Sequence, residues 1–262
     1  MIALTAARSA RRCSGNHAHV ETIEMTNQDV DFRSNQWDEV FRTLVRTEVF
    51  PRVLNRALIY GFSRTGKTWL VRELLGGERI TFHSGMPLDD LIGGWTLKDG
   101  QTVWADGPAV RALRNGTMLQ IDEINEIPLE CKTVLYALMD KPAGITLPSG
   151  ERIEAAPGYC VVGTMNPAPN VLPEPIFERF DIILQANELS RGTQEALGKF
   201  AEQAKRVVGR GNQYNWSRPM SVGLCLAANE LYQAGIRMEN IAVALGLIGD
   251  ELTDFLACTA DR

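Results

Sequence analysis

Residues 61–68 carry two glycines, a lysine and a threonine at the fixed positions of the pattern G-x-x-x-x-G-K-[ST]. Two glycines allow the backbone to curl until its N–H groups face phosphate oxygens. Lys67 supplies a positive charge for the β- and γ-phosphates, and the hydroxyl of Thr68 is suited to Mg²⁺. The sequence therefore predicts a loop that binds the phosphates of ATP. Its residues are Gly61, Ser63, Arg64, Thr65, Gly66, Lys67 and Thr68.

A second group of candidate residues, Asp122 and Glu123, comes directly after the apolar run of residues 117–121. An apolar strand that ends in two adjacent acids is how phosphate-loop enzymes hold a metal ion and activate water. Asp122 is predicted to bind Mg²⁺ together with Thr68, and Glu123 to orient and polarise the attacking water. Alone, the pair would be better explained as two solvated carboxylates at a strand end. The complete phosphate loop earlier in the chain favours the catalytic interpretation.

Short apolar runs alternate with helical patterns around these residues, and five of the runs are predicted to be strands. They are residues 57–60, 79–82, 117–121, 160–163 and 181–184. This alternation is typical of a parallel sheet with helices on both faces. The predicted fold class is therefore α/β, with a three-layer P-loop core built on a parallel five-stranded sheet. After Ser190 the sequence favours helices only, with a turn-rich break at residues 209–215, which predicts a small all-α lid.

The predicted organisation has three parts: residues 1–24 as an extension, 25–210 as the ATPase core and 211–262 as the lid. The first 24 residues contain no acid before Glu21, which is also a feature of transit peptides. A disordered extension before an alternative start at Met25 is the preferred interpretation. Whether the extension belongs to the natural protein, and whether the short lid is complete, stays open from the sequence.

The composition excludes several classes of protein. Hydrophobic residues make up 45% of the chain and charged residues 23%, as in an ordinary globular protein. The net charge of -5 and the pI of 5.4 argue against a nucleic-acid-binding protein. No apolar run approaches the roughly 18 residues needed to span a bilayer, and five cysteines without a CxxC pair indicate reduced thiols. These features predict a cytoplasmic protein that binds neither membranes nor nucleic acids.

Several stretches of the chain occur in the order found in the MoxR branch of AAA+ ATPases, which is related to midasin and the dynein-type modules. The chain resembles this family over residues 55–187. The stretches are residues 90–100, similar to an insertion in the second helix; 107–113, a helix before the acidic pair; 122–125, Asp-Glu-Ile-Asn; 145–155, an inserted hairpin; 163–167, the sensor-1 segment; 178–181, the arginine-finger segment; and 217–219, the start of the lid.

The resemblance implies roles for three further residues. Asn166 is expected to be sensor 1, an amide that bonds the γ-phosphate or the lytic water; the alternative is an ordinary Asn-Pro turn. Arg179 is expected to reach the nucleotide of a neighbouring subunit as an arginine finger. The alternative is a surface arginine paired with Glu174 or Glu178. Arg218 is expected to be the cis sensor of the lid, and the alternative is a cap on the lid helix.

Arg64 and His83 each leave more than one interpretation open. Phe62 and Arg64 depart from the proline and small residue usual in the family's loop, and the extra cation of Arg64 either tightens nucleotide binding or points outward. His83 lies near the end of the second predicted strand, where AAA+ proteins place a polar switch residue for the catalytic glutamate. A lone histidine is more often structural.

These residues and this resemblance predict an ATPase that converts ATP and water to ADP and phosphate. The resemblance implies a ring, expected to be a hexamer, that remodels or matures a protein client; in relatives the partner is often a von Willebrand factor A-type protein. One alternative is a nucleic-acid motor of the helicase or restriction type, against which the acidic charge argues. The other is a scaffold that does not hydrolyse ATP, against which Glu123 and Asn166 argue. The client and the ring size are not predicted.

Overall fold

The computed structural model describes residues 37–63, 65–186, 189, 191–213 and 222–260, so the extension predicted at residues 1–24 lies outside the described residues. The strands, in chain order, are β1 (Arg56–Gly61), β2 (Glu78–Thr81), β3 (Gly93–Lys98), β4 (Gln101–Asp106), β5 (Met118–Asp122), β6 (Gly144–Thr146), β7 (Arg152–Glu154), β8 (Cys160–Met165) and β9 (Ile182–Ala186). The helices are α1 (Trp37–Arg46), α2 (Val49–Arg52), α3 (Lys67–Leu75), α4 (Leu88–Ile92), α5 (Pro108–Asn115), α6 (Lys132–Leu138), α7 (Glu174–Phe177), α8 (Arg191–Leu197), α9 (Ala201–Gln213), α10 (Val222–Gln233), α11 (Met238–Ala244) and α12 (Gly249–Thr259). Within these ranges, no helix has both the length and the apolar character needed to cross a membrane.

Five of the strands form one parallel sheet in the order β2-β5-β8-β1-β9. Each overlaps one of the five strands predicted from the sequence, so the predicted sheet is confirmed. Every residue of β5 and β8 is buried, as expected for strands covered on both faces. β1, β5 and β8 end at Gly61, Asp122 and Met165. Because the carboxyl ends of parallel strands lie at one edge, the sheet brings the phosphate loop and the acidic pair together.

Helices cover the sheet on both faces. Leu58 of β1 packs in one hydrophobic cluster with Leu119 of β5, whereas its neighbours Ala57 and Ile59 pack in another with Leu70 of α3. Successive side chains of a strand point to opposite faces, so the two clusters lie on opposite sides of the sheet. The core therefore has the predicted three layers. Full burial of one leucine or isoleucine in such a cluster stabilises the fold by about 1.5–3 kcal/mol.

Two antiparallel hairpins are inserted in this core. β3 and β4 lie between α4 and α5, and the turn between them has positive φ angles at Asp99 (51°) and Gly100 (79°). An Asp-Gly pair in this conformation is a favoured two-residue hairpin turn. Trp95 and Trp104 pack edge to face across the hairpin with ring centroids 5.6 Å apart. β6 and β7 form the second hairpin, in agreement with the one expected at residues 145–155.

The helices after β9 pack around a hydrophobic cluster of their own, as the predicted all-α region requires. The break predicted at residues 209–215 is wrong in its first part, because α9 continues to Gln213. Val207 and Val208 are buried in the cluster, and this packing outweighs the roughly 1 kcal/mol by which a glycine disfavours a helix. The boundary between core and lid after residue 210 stays a prediction, and α8 and α9 pack with the later helices.

Candidate functional site

The candidate site begins in the loop that joins β1 to α3. Gly61 has a φ of 129°, and a Cβ atom there would lie 2.6 Å from the carbonyl oxygen of Ala186. Gly66 has a φ of 95° directly before the first turn of α3. Residues with side chains rarely adopt such angles, which explains the two fixed glycines. The hydroxyl of the buried Thr65 donates to the carbonyl oxygen of Phe62 at 3.1 Å and holds the loop in its curled shape.

Lys67 starts α3 and is buried beneath the loop. Its Nζ atom donates to the carbonyl oxygens of Gly61 at 2.9 Å and Phe62 at 2.7 Å, and to Oδ1 of Asn166 at 3.2 Å. Burial lowers the pKa of Lys67 from 10.5 to about 8, and the two carboxylates of the acidic pair oppose this shift. The site therefore contains a desolvated amine whose charged form would gain from an added anion.

Asp122 is the most heavily hydrogen-bonded side chain of the site. Its Oδ1 accepts three bonds: from Oγ1 of Thr68 at 3.0 Å, Nε2 of Gln120 at 3.0 Å and Oγ1 of Thr164 at 2.5 Å. Its Oδ2 accepts a bond from Nε of Arg79 at 2.5 Å. The carboxylate is thus fixed in position beside the first turn of α3, with its charge compensated by one arginine.

Glu123 follows Asp122 in a left-handed conformation, with φ 52° and ψ 47°. Such angles are uncommon for a residue other than glycine and are often found at functional sites. Nδ2 of Asn166 donates to Oε1 of Glu123 at 3.1 Å, while Oδ1 of the same amide accepts from Lys67. Asn166 therefore links the amine of the phosphate loop to the carboxylate expected to activate water.

These side chains surround one cavity of about 500 Å³. The residues lining it are Ser63, Gly66, Lys67, Thr68, Trp69, Arg79, Thr81, Asp122, Glu123, Thr164, Met165, Asn166 and Leu226. Leu226 belongs to α10, so the helical region reaches the cavity. A larger cavity of about 860 Å³, beside Asn55 and Tyr159, is lined by none of the predicted site residues. The position of the chemically competent groups, and not cavity size, identifies the site.

The donor set of the smaller cavity fits the groups predicted from the sequence. The hydroxyl of Thr68 and the carboxylate of Asp122, 3.0 Å apart, are the hard oxygen ligands that Mg²⁺ prefers. The amine of Lys67 and the amino end of α3 are suited to phosphate oxygens. The residues present therefore fit both a nucleoside triphosphate and its metal ion.

Arg179 lies outside this cavity. Its Nε donates to Oδ1 of Asp140 at 3.0 Å, its Nη1 donates to the carbonyl oxygen of Pro175 at 2.5 Å, and its guanidinium carbon lies 4.9 Å from the ring centroid of Tyr136. Its ion pair is therefore with Asp140 and with neither of the glutamates considered from the sequence. The arginine is held on the surface of the core and does not line the cavity that contains Lys67 and Asp122.

Of the remaining predicted residues, the structure describes Ser63 and His83. Ser63 lines the cavity, whereas His83 is exposed and does not line it, with its Nδ1 3.3 Å from the carbonyl oxygen of Ser84. Arg64 and Arg218 lie outside the described residues.

Three residues that donate hydrogen bonds to Asp122, namely Arg79, Gln120 and Thr164, were not predicted from the sequence. The register of the sheet places them, because Asp122 pairs with Thr164 of β8 and with Thr81 of β2. Arg79 lies two residues before Thr81, on the same face of the strand. Three features of the sequence could have indicated these residues. They are a polar residue at the carboxyl end of β8, a glutamine within the apolar run of β5 and a charged residue within β2.

The chain is similar to a described domain family and to several known proteins. Residues 57–180 match the AAA domain of the dynein-related subfamily. The chain is 29% identical over 265 residues to Protein NorQ of Paracoccus denitrificans (strain Pd 1222), across 91% of this chain and 93% of that protein. It is 32% identical over 120 residues to an uncharacterized protein of Staphylococcus haemolyticus, a match of 42% of this chain and 46% of the relative, so it spans less than half of that relative. A solved structure of a RuvB mutant from Thermotoga maritima has a TM-score of 0.48 at 18% identity, covering 84% of this chain and 69% of that one.

The three-layer core, its phosphate loop and the acidic pair at the carboxyl edge of the sheet define a nucleotide-binding ATPase of the AAA+ class. Within this class the chain resembles the MoxR type, since the dynein-related AAA domain and the similarity to Protein NorQ along nearly the whole chain agree with its Asp-Glu-Ile-Asn segment and inserted hairpins. The resemblance predicted from the sequence is confirmed.

Proposed function

We propose that this ATPase assembles into a ring and uses ATP hydrolysis to remodel or mature a protein client. The observation that carries the proposal is the position of Leu226 of α10, which lines the cavity together with the residues proposed to bind the nucleotide. A change at the phosphates is therefore able to act on the helical region directly. Movement of a helical region against a core changes the shape of a subunit, and a ring transmits such changes to whatever it holds.

In this proposal Lys67 binds the β- and γ-phosphates, and the other loop residues surround them with backbone N–H groups. Thr68 and Asp122 hold Mg²⁺, because their oxygens lie together beside the loop. Bound Mg²⁺ neutralises charge on the transferring phosphoryl group. Arg218 and Arg64 keep the nucleotide-binding roles expected from the sequence.

Glu123 is proposed as the base that takes a proton from the attacking water. The amide of Asn166 engages Oε1 of this carboxylate, which leaves Oε2 to accept the proton. The same amide accepts a hydrogen bond from Lys67, so it lies between the amine that would bind the phosphates and the carboxylate that would activate the water. This arrangement supports the assignment of Asn166 as sensor 1.

Arg179 is proposed to complete the active site of a neighbouring subunit. It does not line the cavity of its own subunit, and Asp140 and the Tyr136 ring hold it in one place on the surface. A fixed surface arginine is suited to stabilise the transition state across an interface. The ring is proposed to be a hexamer on the basis of the family resemblance.

A protein client is supported by the hairpin of β3 and β4. Trp95 and Leu97 on this hairpin are 58% and 74% exposed, and exposed apolar side chains of this size favour contact with another protein. The family resemblance adds a von Willebrand factor A-type partner, and we propose a cytoplasmic location for the assembly.

The trans role of Arg179 is tested by mixing two inactive variants. Glu123→Gln and Arg179→Ala are each expected to lose hydrolysis, the second by about a thousandfold. Mixed rings contain interfaces with an intact Glu123 on one side and an intact Arg179 on the other, so part of the activity returns. Arg152→Ala, which alters an exposed arginine of the β6–β7 hairpin, is the matched control and keeps full activity. Mixed rings that form by light scattering but stay inactive would refute the trans role.

The nature of the client is tested by adding candidate partners to the ATPase assay. A von Willebrand factor A-type protein is expected to stimulate hydrolysis, and single-stranded DNA is expected to leave the rate unchanged. Trp95→Ala with Leu97→Ala should abolish the stimulation but not the basal rate. Stimulation by single-stranded DNA alone would contradict the proposal and favour a nucleic-acid motor.

A further inference from the structure

Arg79 is a cation inside the nucleotide cavity that neither the phosphate loop nor the acidic pair accounts for. It lies on β2 opposite Gln120 of β5, and Thr81, two residues later, lies opposite Asp122. From this position its Nε donates to Oδ2 of Asp122 at 2.5 Å. The guanidinium therefore lies against the carboxylate proposed to hold Mg²⁺.

The two oxygens of Asp122 have different partners. Oδ1 is bonded by three neutral donors that belong to α3, β5 and β8. Oδ2 is bonded by Arg79, a cation on a long flexible side chain. A carboxylate as buried as Asp122, which is 5% exposed, requires charge compensation. Arg79 supplies that charge at the oxygen the neutral donors do not use.

The pair of Arg56 and Asp181 shows what a permanent ion pair looks like in this protein. Arg56 bonds both oxygens of Asp181, at 3.2 and 3.0 Å, donates to the carbonyl oxygen of Met139 at 2.5 Å and is 11% exposed. Arg79 makes one hydrogen bond among the described residues, and its side chain is 49% exposed. Arg56 is fixed by its surroundings, whereas Arg79 can leave its partner with little loss of packing.

We propose that Arg79 is an exchangeable counterion for Asp122. It compensates the carboxylate when no metal ion is bound and leaves Oδ2 when Mg²⁺ binds with the nucleotide. Metal binding then has to break an ion pair, so Arg79 reduces the extent to which Mg²⁺ strengthens nucleotide binding. This proposal rests on the proposed metal site at Thr68 and Asp122.

The quantity to measure is the dissociation constant of a fluorescent, non-hydrolysable ATP analogue, in EDTA and in excess Mg²⁺. Arg79→Met keeps the aliphatic stem and removes the charge. In EDTA it leaves Asp122 uncompensated beside the phosphates, and in Mg²⁺ it removes the competitor. The ratio of the dissociation constant in EDTA to that in Mg²⁺ is expected to rise by about threefold to tenfold, the range for one partly exposed ion pair. Arg79→Lys, which keeps the charge, is expected to stay within about twofold of the wild-type ratio.

Arg111→Met is the matched control. Arg111 is 45% exposed and forms an ion pair with Glu78, on the same strand as Arg79, but it does not line the cavity. Its loss is expected to leave the ratio unchanged. An Arg79→Met ratio equal to the wild-type ratio, or one that Arg111→Met reproduces, would overturn the proposal.

Asp122→Asn separates this proposal from the one on which it rests. This variant is expected to bring the ratio close to one, because the metal loses its carboxylate. A wild-type ratio in Asp122→Asn would show that the metal site itself is wrong. A collapsed ratio in Asp122→Asn with an unchanged ratio in Arg79→Met would retain the metal site and reject the exchange of Arg79.

Discussion

Nucleotide binding is expected to weaken as the pH rises above 8, because Lys67 loses its proton there. Its amine is buried under the loop, and burial lowers its pKa from 10.5 to about 8. At pH 9 about nine in ten molecules of the free protein then carry a neutral Lys67. Phosphate oxygens favour the charged amine and raise its pKa in the complex. Binding at pH 9 must therefore take up close to one proton, and the dissociation constant should increase by about tenfold per pH unit above 8.

Titration calorimetry in two buffers of different ionisation enthalpy measures this proton directly. Uptake is expected to be near zero at pH 7 and to approach one proton at pH 9. Lys141→Met, which alters a half-exposed lysine paired with Asp181, is the control and should leave the profile unchanged. Zero uptake at pH 9 would show that the amine of Lys67 is already charged before ATP binds, and the reasoning from burial would be refuted.

The lowered pKa of Lys67 also makes the stability of the folded protein depend on pH. Between pH 8 and 10.5 the unfolded chain binds more protons at this lysine than the folded protein. The free energy of unfolding of wild type relative to Lys67→Met should therefore rise with pH across this window. The lowering from 10.5 to about 8 corresponds to about 3 kcal/mol. Urea unfolding of both proteins across the window provides the comparison.

Two further substitutions test the loop. Lys67→Ala is expected to abolish the rise in melting temperature that Mg-ATP gives wild type, since ligand binding stabilises the folded state by mass action. A rise in the variant equal to that of wild type would show that Lys67 does not bind the nucleotide. Gly61→Ala is expected to destabilise the protein by about 2 kcal/mol or more, because a Cβ would lie 2.6 Å from the carbonyl oxygen of Ala186 at a positive φ. Gly209→Ala, where no atom lies within 4 Å, is its control and should stabilise α9 by up to about 1 kcal/mol; equal effects of the two in urea unfolding would contradict the steric explanation.

Local patterns were enough to predict the sheet. Most of its strands contain a short apolar run, and the phosphate loop and the acidic pair follow two of these runs directly. Because parallel strands end at the same edge of the sheet, the phosphate loop and the acidic pair are expected to lie together there. For the same reason Thr68 and Asp122, both chosen from the sequence, lie within hydrogen-bond distance of each other.

The parts that the sequence did not predict depend on pairing between distant segments. Thr164 bonds Asp122 only because β8 pairs with β5 in one particular register. Arg79 lies in a strand at the edge of the sheet, where a charged residue is usually solvated, and its neighbour on β5 decides its role. The helix through Gly209 was missed because local propensity favours a turn there and the buried cluster of the helical region overrides it.

Glu123 is the residue proposed to act as the base for water, and hydrolysis at this site depends on it most directly. Steady-state hydrolysis and the ATP-dependent rise in melting temperature, measured on wild type and Glu123→Gln, test this role. Glutamine keeps the shape of the side chain and its bond to Asn166 but cannot take the proton, so hydrolysis should fall by about a hundredfold or more, with the thermal shift unchanged. Glu126→Gln, at an exposed position three residues later, is the control and should keep both. Hydrolysis by Glu123→Gln within about threefold of wild type would contradict the account.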